Sequence, residues 1–287
     1  MRVENHKVTG ISFTPARHMG GTITPTLVVL HDTASRLDPG NAARYLADND
    51  AGVSVHFVVE RDGSIAQQVP LNRQANHAGK SSYHGRKWCN GFSIGIEIVN
   101  PGKMTMGRQF SDGFEARAWW GQLFDSEEYD LAEIHTPEHG AGVWMGYTPA
   151  QIKAVLELLE CLFRDIDTLT DIRTHWYVSP GRKVDTNPLF PLDRVRALVL
   201  GRSDPADDDA VALSEAVSPR RAVEIVTGGS GLNMRRWPSF NPNVIGAIPN
   251  GTVVPVLRAG EFDRRRWNLV FFDGREGWIV DAYTKPV

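Results

Sequence analysis

Cysteine is scarce in this chain: Cys89 and Cys161 are the two thiols in 287 residues. Two thiols with no pairing pattern cannot build a disulfide framework, so free thiols are the expectation. Long apolar runs are missing too. No stretch reaches the roughly 18 apolar residues of a helical membrane span. The amino-terminal Met1-Arg-Val-Glu-Asn-His-Lys7 lacks the apolar core of a secretory signal. On that reading the chain is made as a soluble cytoplasmic protein, and any action outside the cell needs release or a separate export route. A dominant charge is also absent. Lys and Arg number 31 against 34 Asp and Glu, a net charge of −3, which argues against a general nucleic-acid binder. The remaining composition, 41% hydrophobic and 23% charged, is that of an ordinary globular protein. The length suits a large domain plus a small one.

What is there begins with Thr26-Leu-Val-Val-Leu30, a short β-branched run that reads as a buried strand delivering His31 at its tip. Residues 37–50 read as a short helix started by Pro39. Segments 54–60 and 64–69 alternate with period two around Asp62-Gly63, a tight-turn dipeptide, and predict a hairpin. In the next predicted strand, 93–99, Ile94, Ile96 and Ile98 face one side, and Ser93, Gly95, Glu97 and Val99 the other. The small Ser93 and Gly95 leave room beside Glu97, as the floor of a cleft would. Residues 101–147 show no clear periodicity and read as a functional covering loop rather than a core element. Thr148, Pro149 and Gln151 then form a helix-start signature, with apolar residues at 152, 155, 156, 159, 162, 163 and 166 as a helical stripe. Residues 192–200 look like a final short helix.

The richest stretch is Thr174-His-Trp-Tyr-Val-Ser-Pro-Gly-Arg-Lys-Val-Asp-Thr-Asn-Pro188. Pro180-Gly181 marks a turn, so its ends return toward one point, with His175 and Asp185 both of metal-ligand type. His31 is the natural third ligand. Two histidines, one carboxylate and an open position make a catalytic rather than a structural zinc site.

Residues 201–220, with Asp204, Asp207, Asp208 and Asp209 among prolines and small residues, read as an acidic linker. Beyond it, short β-type runs separated by Asn250-Gly251 and Asp273-Gly274 predict a small all-β barrel. From Arg220 onward ten Lys/Arg face six Asp/Glu, leaving −7 for the rest of the chain. The excess, concentrated at Arg264-Arg265-Arg266, suggests an anionic anchoring surface. An ordinary solvated face explains so small a count equally well.

His31 after an apolar strand, Ser54-Val-His-Phe57, Asn76-His-Ala-Gly79, Gly85-Arg-Lys-Trp-Cys-Asn90, Ser93-Ile-Gly-Ile-Glu97 and His175…Lys183-Val-Asp185 together resemble, in order, the zinc-dependent N-acetylmuramoyl-L-alanine amidases related to peptidoglycan recognition proteins. The likeness runs from about residue 25 to 200. The tail, Leu232-Asn-Met-Arg235 through Gly277-Trp-Ile-Val280, resembles the bacterial SH3-like domain. The resemblance implies a mixed α/β fold, a central β-sheet flanked by helices, over 1–200, then the acidic linker 201–220 and a small all-β SH3-like barrel over 221–287 that binds cell wall. It implies Zn2+ held by His31, His175 and Asp185, with Glu97 as the catalytic carboxylate and Lys183 as the oxyanion partner. It also implies cleavage of the amide between the lactyl group of muramic acid and L-alanine in peptidoglycan or a muropeptide. Asn76, His77 and Asn90 fall in the same motifs and are expected to hold substrate. Among biological roles, an endolysin-like one fits the linker and tail. A cytoplasmic recycling amidase for anhydro-muropeptides, an exported toxin and a non-catalytic peptidoglycan-binding protein are the alternatives, and the tail alone admits a scaffold for partner peptides.

Two rival motifs fail on local grounds. Gly91-Phe-Ser-Ile-Gly95 has the Gly-x-Ser-x-Gly spacing, but a nucleophile elbow needs a helix after the serine, and here the β pattern continues. His135-Thr-Pro-Glu-His139 has a zinc-protease spacing that needs a helix, and Pro137 lies inside it. Taken singly, His31 is an ordinary strand-end residue, Lys183 a solvated lysine and Cys89 a buried thiol. His56, alternating within the hairpin, reads as packed or as supporting a ligand rather than ligating itself. Glu97 fits a bland reading least, because a strand interior disfavours glutamate.

Overall fold

The computed structural model describes residues 1–136, 138–200, 221–235, 238, 240, 244–262 and 265–287; the expected linker 201–220 lies outside them, as do Pro137 and Arg264. The chain divides into two compact units, Met1–Leu192 and Asp193–Val287. The division thus falls at the start of helix Leu192–Val199, whereas the first domain is expected to reach residue 200. Among the described residues no helix is long and apolar enough to cross a membrane.

In chain order the first unit carries β1 (Ser12–Phe13), β2 (Leu27–Asp32), β3 (Phe57–Val59), β4 (Ile65–Gln67), β5 (Ser93–Ile98), β6 (Thr105–Gln109), β7 (Phe114–Arg117), β8 (Leu123–Asp125), β9 (Leu131–Thr136), β10 (Gly140–Met145) and β11 (Asp171–Thr174). Six of these form the central mixed sheet in the order β11-β2-β5-β3-β4-β1. Strand β2 is buried along its whole length because parallel neighbours flank it, β11 on one side and β5 on the other. A strand covered on both faces reads as an unbroken apolar run, which is why Leu27-Val-Val-Leu30 shows no alternation. The expected hairpin is β3 and β4, paired antiparallel with Val59 opposite Ile65.

Two helices of this unit are α1 (Asn41–Ala47) and α2 (Pro149–Asp165). Helix α2 opens as its sequence predicts. The Gln151 amide N–H donates to Thr148 Oγ1, and the Thr148 N–H donates to the Gln151 side chain. That side chain also donates to the Val99 carbonyl at 2.8 Å, tying the helix start to the end of β5. The buried face is centred on Ala154, Val155, Leu158, Leu159, Cys161 and Leu162. The expected stripe shares 155, 159 and 162 with it, and its other members flank the contact half-buried.

Residues 101–147 depart from expectation. They are not a covering loop but an inserted β structure with its own core. Strands β6, β7 and β8 form one antiparallel sheet and β9 pairs with β10. Met104, Ala116, Ala118, Phe124, Val143 and Met145 pack between them. Interspersed glycines and a register shift between Met106 and Gln109 break the alternation that would have revealed strands.

Among its described residues the second unit, taken by itself, is built of β-strands after helix Leu192–Val199, with one short 3-10 turn at Asp281–Tyr283. Seven strands, β12 (Arg221–Ile225), β13 (Leu232–Arg235), β14 (Val244–Ile248), β15 (Val253–Phe262), β16 (Arg265–Phe272), β17 (Arg275–Val280) and β18 (Thr284–Pro286), lie in the order β14-β13-β17-β16-β15-β12-β18. Their neighbours are antiparallel throughout. Val223, Ile225, Met234, Ile248, Val254, Val270 and Ile279 supply the core.

Candidate active site

The carboxyl ends of three adjacent parallel strands create the site, the place where α/β sheets present ligands. Pairing of β2 with β5 puts His31 opposite Glu97, and pairing of β2 with β11 puts Leu30 opposite Thr174, the residue before His175. Residues opposite one another on neighbouring strands share a face, so His31 and Glu97 enter one cleft. His175 opens the helical turn His175–Val178, the loop after it returns Asp185 to the same point, and the Trp176 N–H donates to the Asp185 carbonyl at 2.7 Å.

His31 Nδ1 and His175 Nδ1 are 2.9 Å apart, His175 Nδ1 and Asp185 Oδ2 2.9 Å, and His31 Nδ1 and Asp185 Oδ2 3.2 Å. Donors set about 2.0–2.1 Å from one tetrahedral cation would stand about 3.3 Å apart. The observed triangle is close to that size, and its donor set suits a divalent metal. Burial, with His175 nearby, lowers the His31 pKa to about 4, so the ring is neutral at ordinary pH. Burial alone would raise Asp185, but the two histidines beside it, His175 first and then His31, outweigh burial and hold the carboxyl well below the usual carboxylate range.

The far nitrogens of both rings are committed to protein. His175 Nε2 lies 3.1 Å from the Ala78 carbonyl and 3.2 Å from Arg182 Nη2, which holds the ring with Nδ1 turned into the triangle. His31 is set by a relay. The Ser93 hydroxyl donates to the Cys89 carbonyl at 2.6 Å, so its oxygen accepts from His77 Nε2 at 3.1 Å, and His77 Nδ1 accepts from His31 Nε2 at 2.9 Å. Each donor has one acceptor, and the chain leaves His31 Nδ1 unprotonated toward the triangle. Outer partners of this kind fix tautomer and orientation at metal sites.

His77 is expected to hold substrate. It does line the cleft, but both ring nitrogens are taken by His31 and Ser93. Its ring also fills the space expected to be open beside Glu97, since a Cβ on Gly95 would lie 2.5 Å from His77 Cγ. Only glycine permits this approach. Asn90 does not line the cleft; its Oδ1 accepts the backbone N–H groups of His77 and Ala78 at 3.2 and 2.7 Å. Asn76 is in the cleft wall, with its amide donating to the Gly52 carbonyl. His56 is packed, as read from the hairpin. It accepts from the Gly95 N–H at 3.0 Å and donates to the Arg73 carbonyl at 2.9 Å, and burial lowers its pKa to about 4.

Glu97 Oε2 is buried and has no hydrogen-bond partner among the described residues. Burial, then repulsion from Asp185 and Asp32, raises its pKa well above the ordinary value, while Lys183 opposes the rise. A carboxyl whose protonated form is favoured in this way is suited to taking up a proton and handing it on. Lys183 lines the same cleft of about 480 Å³, a size typical of small-ligand sites.

Several supporting residues carry no signature in the sequence. Asp32 accepts from the Tyr147 hydroxyl and, at 2.9 Å, from the Asn187 N–H. Asn187 Nδ2 donates to the Met145 carbonyl at 3.1 Å, and His139 Nε2 donates to the Thr186 carbonyl at 3.0 Å. The inserted β structure and the segment after it therefore clamp the two residues that follow Asp185. His139, rejected above as part of a metal motif, acts here as a buttress.

The family model for N-acetylmuramoyl-L-alanine amidase matches residues 21–188, a span that includes His31, Glu97, His175, Lys183 and Asp185. The chain is 32% identical over 148 residues to the 1,6-anhydro-N-acetylmuramyl-L-alanine amidase AmpD of Salmonella typhimurium, covering 51% of this chain and 57% of that relative's length. It is 40% identical over 82 residues to the N-acetylmuramoyl-L-alanine amidase XlyA of Bacillus subtilis, covering 28% of this chain and 26% of that one. A crystal structure of an AmpD derivative superposes with a TM-score of 0.48 at 26% identity, covering 69% of this chain and 99% of that chain.

Proposed function

The chain belongs to the N-acetylmuramoyl-L-alanine amidase family, and from that premise we propose that it hydrolyses the amide between N-acetylmuramic acid and L-alanine in peptidoglycan, with Zn2+ held by His31, His175 and Asp185. One observation carries the reading: a triangle of two imidazole nitrogens and a carboxylate oxygen, 2.9–3.2 Å apart, shares a cleft with a buried carboxyl oxygen that has no hydrogen-bond partner among the described residues. When bound, zinc supplies Lewis acidity, polarising an amide carbonyl and acidifying water at neutral pH.

The chain's own residues supply the rest. Glu97 Oε2 takes the proton of the attacking water, and its raised pKa keeps that proton long enough to deliver it to the departing alanine nitrogen. The Lys183 ammonium balances negative charge growing on the carbonyl oxygen. The relay through His77 and Ser93 keeps His31 in the tautomer that offers Nδ1. Incubation of purified sacculi with the zinc-loaded protein tests the assignment. New L-alanine amino termini are expected; new sugar reducing ends or D-amino-acid termini without them would refute it.

We assign the second unit to wall attachment, as a bacterial SH3-like module. Its antiparallel sheet and the excess of Lys and Arg from Arg220 onward support this. Exposed Arg265 and Arg266 are the natural contacts, so Arg265→Glu with Arg266→Glu in the full chain should weaken co-sedimentation with sacculi. Unchanged sedimentation would remove the role.

Intact wall is the substrate this arrangement favours, in an endolysin-like role. Similarity to a relative named for a 1,6-anhydro substrate supports the second reading, a recycling amidase acting on soluble anhydro-muropeptides. Turnover of sacculi against soluble anhydro-muropeptide separates them, and a strong preference for the soluble fragment would select the second.

A further inference from the structure

Trp119 stands in the cleft wall with 76% of its surface exposed. A lone exposed tryptophan on a free loop would mean little, but this one is held at both ends. Its indole N–H donates to the Ala34 carbonyl at 2.8 Å, three residues beyond His31. Its ring meets Trp120 edge-on at 84° with centroids 5.7 Å apart, and Trp120 in turn meets the buried Phe124 edge-on. With the one polar atom satisfied, what remains in contact with solvent is the apolar face of a fixed ring.

The anchor itself is unusual. Ala34 has φ 46°, a left-handed conformation that residues with a Cβ avoid and that is retained where surroundings over-determine it, often at ligand clamps. Gly102, at φ 73°, makes room for it: a Cβ there would come within 3.0 Å of the Ala34 side chain. Both residues line the cleft with Trp119, Pro101 and Trp144. This wall is uncharged apart from Lys103, and Lys103 Nζ donates to the His139 carbonyl at 2.8 Å.

We propose that Trp119 is a stacking platform for a pyranose ring of the glycan that carries the scissile amide, extending the cleft beyond the reacting bond. A pyranose suits this wall because its C–H face is apolar and weakly positive where the indole face is electron-rich, and it brings no net charge. A stem peptide, with several free carboxylates and an ammonium group, would need more charged partners than the single ammonium, Lys103, that this wall offers. The inserted β structure acquires a second task on this account, presenting Trp119 to substrate while it clamps the Asp185 loop. The proposal rests on the amidase reading for the identity of the glycan.

Two measurements test it. The first is binding of the N-acetylglucosaminyl–N-acetylmuramic acid disaccharide, without peptide, followed by tryptophan fluorescence and calorimetry. Trp119→Ala is expected to weaken binding roughly tenfold, and Trp119→Phe to recover part of the loss; unchanged affinity in Trp119→Ala overturns the platform. The second compares kcat/KM for a disaccharide-peptide with that for a D-lactoyl-L-alanyl peptide, which keeps the amide but lacks the sugar. Trp119→Ala should lower the ratio of the two roughly tenfold, and equal losses on both overturn the proposal in favour of a peptide contact or a structural role. Should the wild type cleave neither compound, the amidase reading fails, and disaccharide binding still decides the platform.

Discussion

His31 Nε2 donates to His77 Nδ1 across 2.9 Å, and this bond determines which nitrogen of His31 faces Asp185. The donor sense follows from the far end of the relay, where Ser93 commits its only proton to the Cys89 carbonyl. His77 therefore works on His31 rather than on substrate.

Replacing His77 with alanine should weaken zinc binding about 10–100-fold, the usual cost of losing an outer partner of a metal-ligating histidine. Competition with a chelator of known affinity, read by metal analysis, checks this. His77→Gln should retain more affinity, since its amide oxygen can still accept from His31. Equal affinities in wild type and His77→Ala would mean that the relay does not set the tautomer.

The clamp on the Asp185 loop gives a second expectation. His139→Ala leaves the Thr186 carbonyl without its 3.0 Å donor, and an unpaired buried acceptor costs about 1–3 kcal/mol. Denaturant unfolding should show a loss of this size, with weaker zinc binding alongside because Thr186 adjoins a ligand. Full stability together with full zinc affinity would show that the inserted β structure is not a buttress.

Much of the site was legible because each key residue sits at the end of a patterned segment. His31 closes an apolar run, Glu97 is the one acid in an alternating strand, and His175 and Asp185 bracket a Pro-Gly turn. Asp32, Tyr147 and His139 were not legible. Asp32 meets Asn187 across 155 positions of sequence and Tyr147 across 115, and no local period records such a contact. The strands of 101–147 escaped for another reason: their core is assembled from single residues such as Met104, Phe124 and Val143, with glycines between. The room inferred beside Glu97 was real, but a histidine ring from another segment occupies it.

His56 predicts a pH dependence of stability. Its pKa falls from 6.5 to about 4 on folding because it is buried neutral. A group with a depressed folded pKa contributes fully above its unfolded pKa, and that contribution is lost as pH falls from about 6.5 to 4. The loss amounts to about 3 kcal/mol at most. His56→Gln, which can keep bonds to the Gly95 N–H and the Arg73 carbonyl, should flatten this part of the stability–pH curve. An identical slope in the variant would remove His56 as its cause.

Glu97 carries the most direct test. Turnover of an N-acetylmuramoyl-L-alanyl peptide should be measured for wild type and Glu97→Ala, each with its zinc content determined in the same sample. The account predicts equal zinc occupancy and a kcat lower by about 10²–10⁴-fold in the variant, the range for loss of a general acid–base. A Glu97→Ala protein that holds zinc and turns over at the wild-type rate would contradict it.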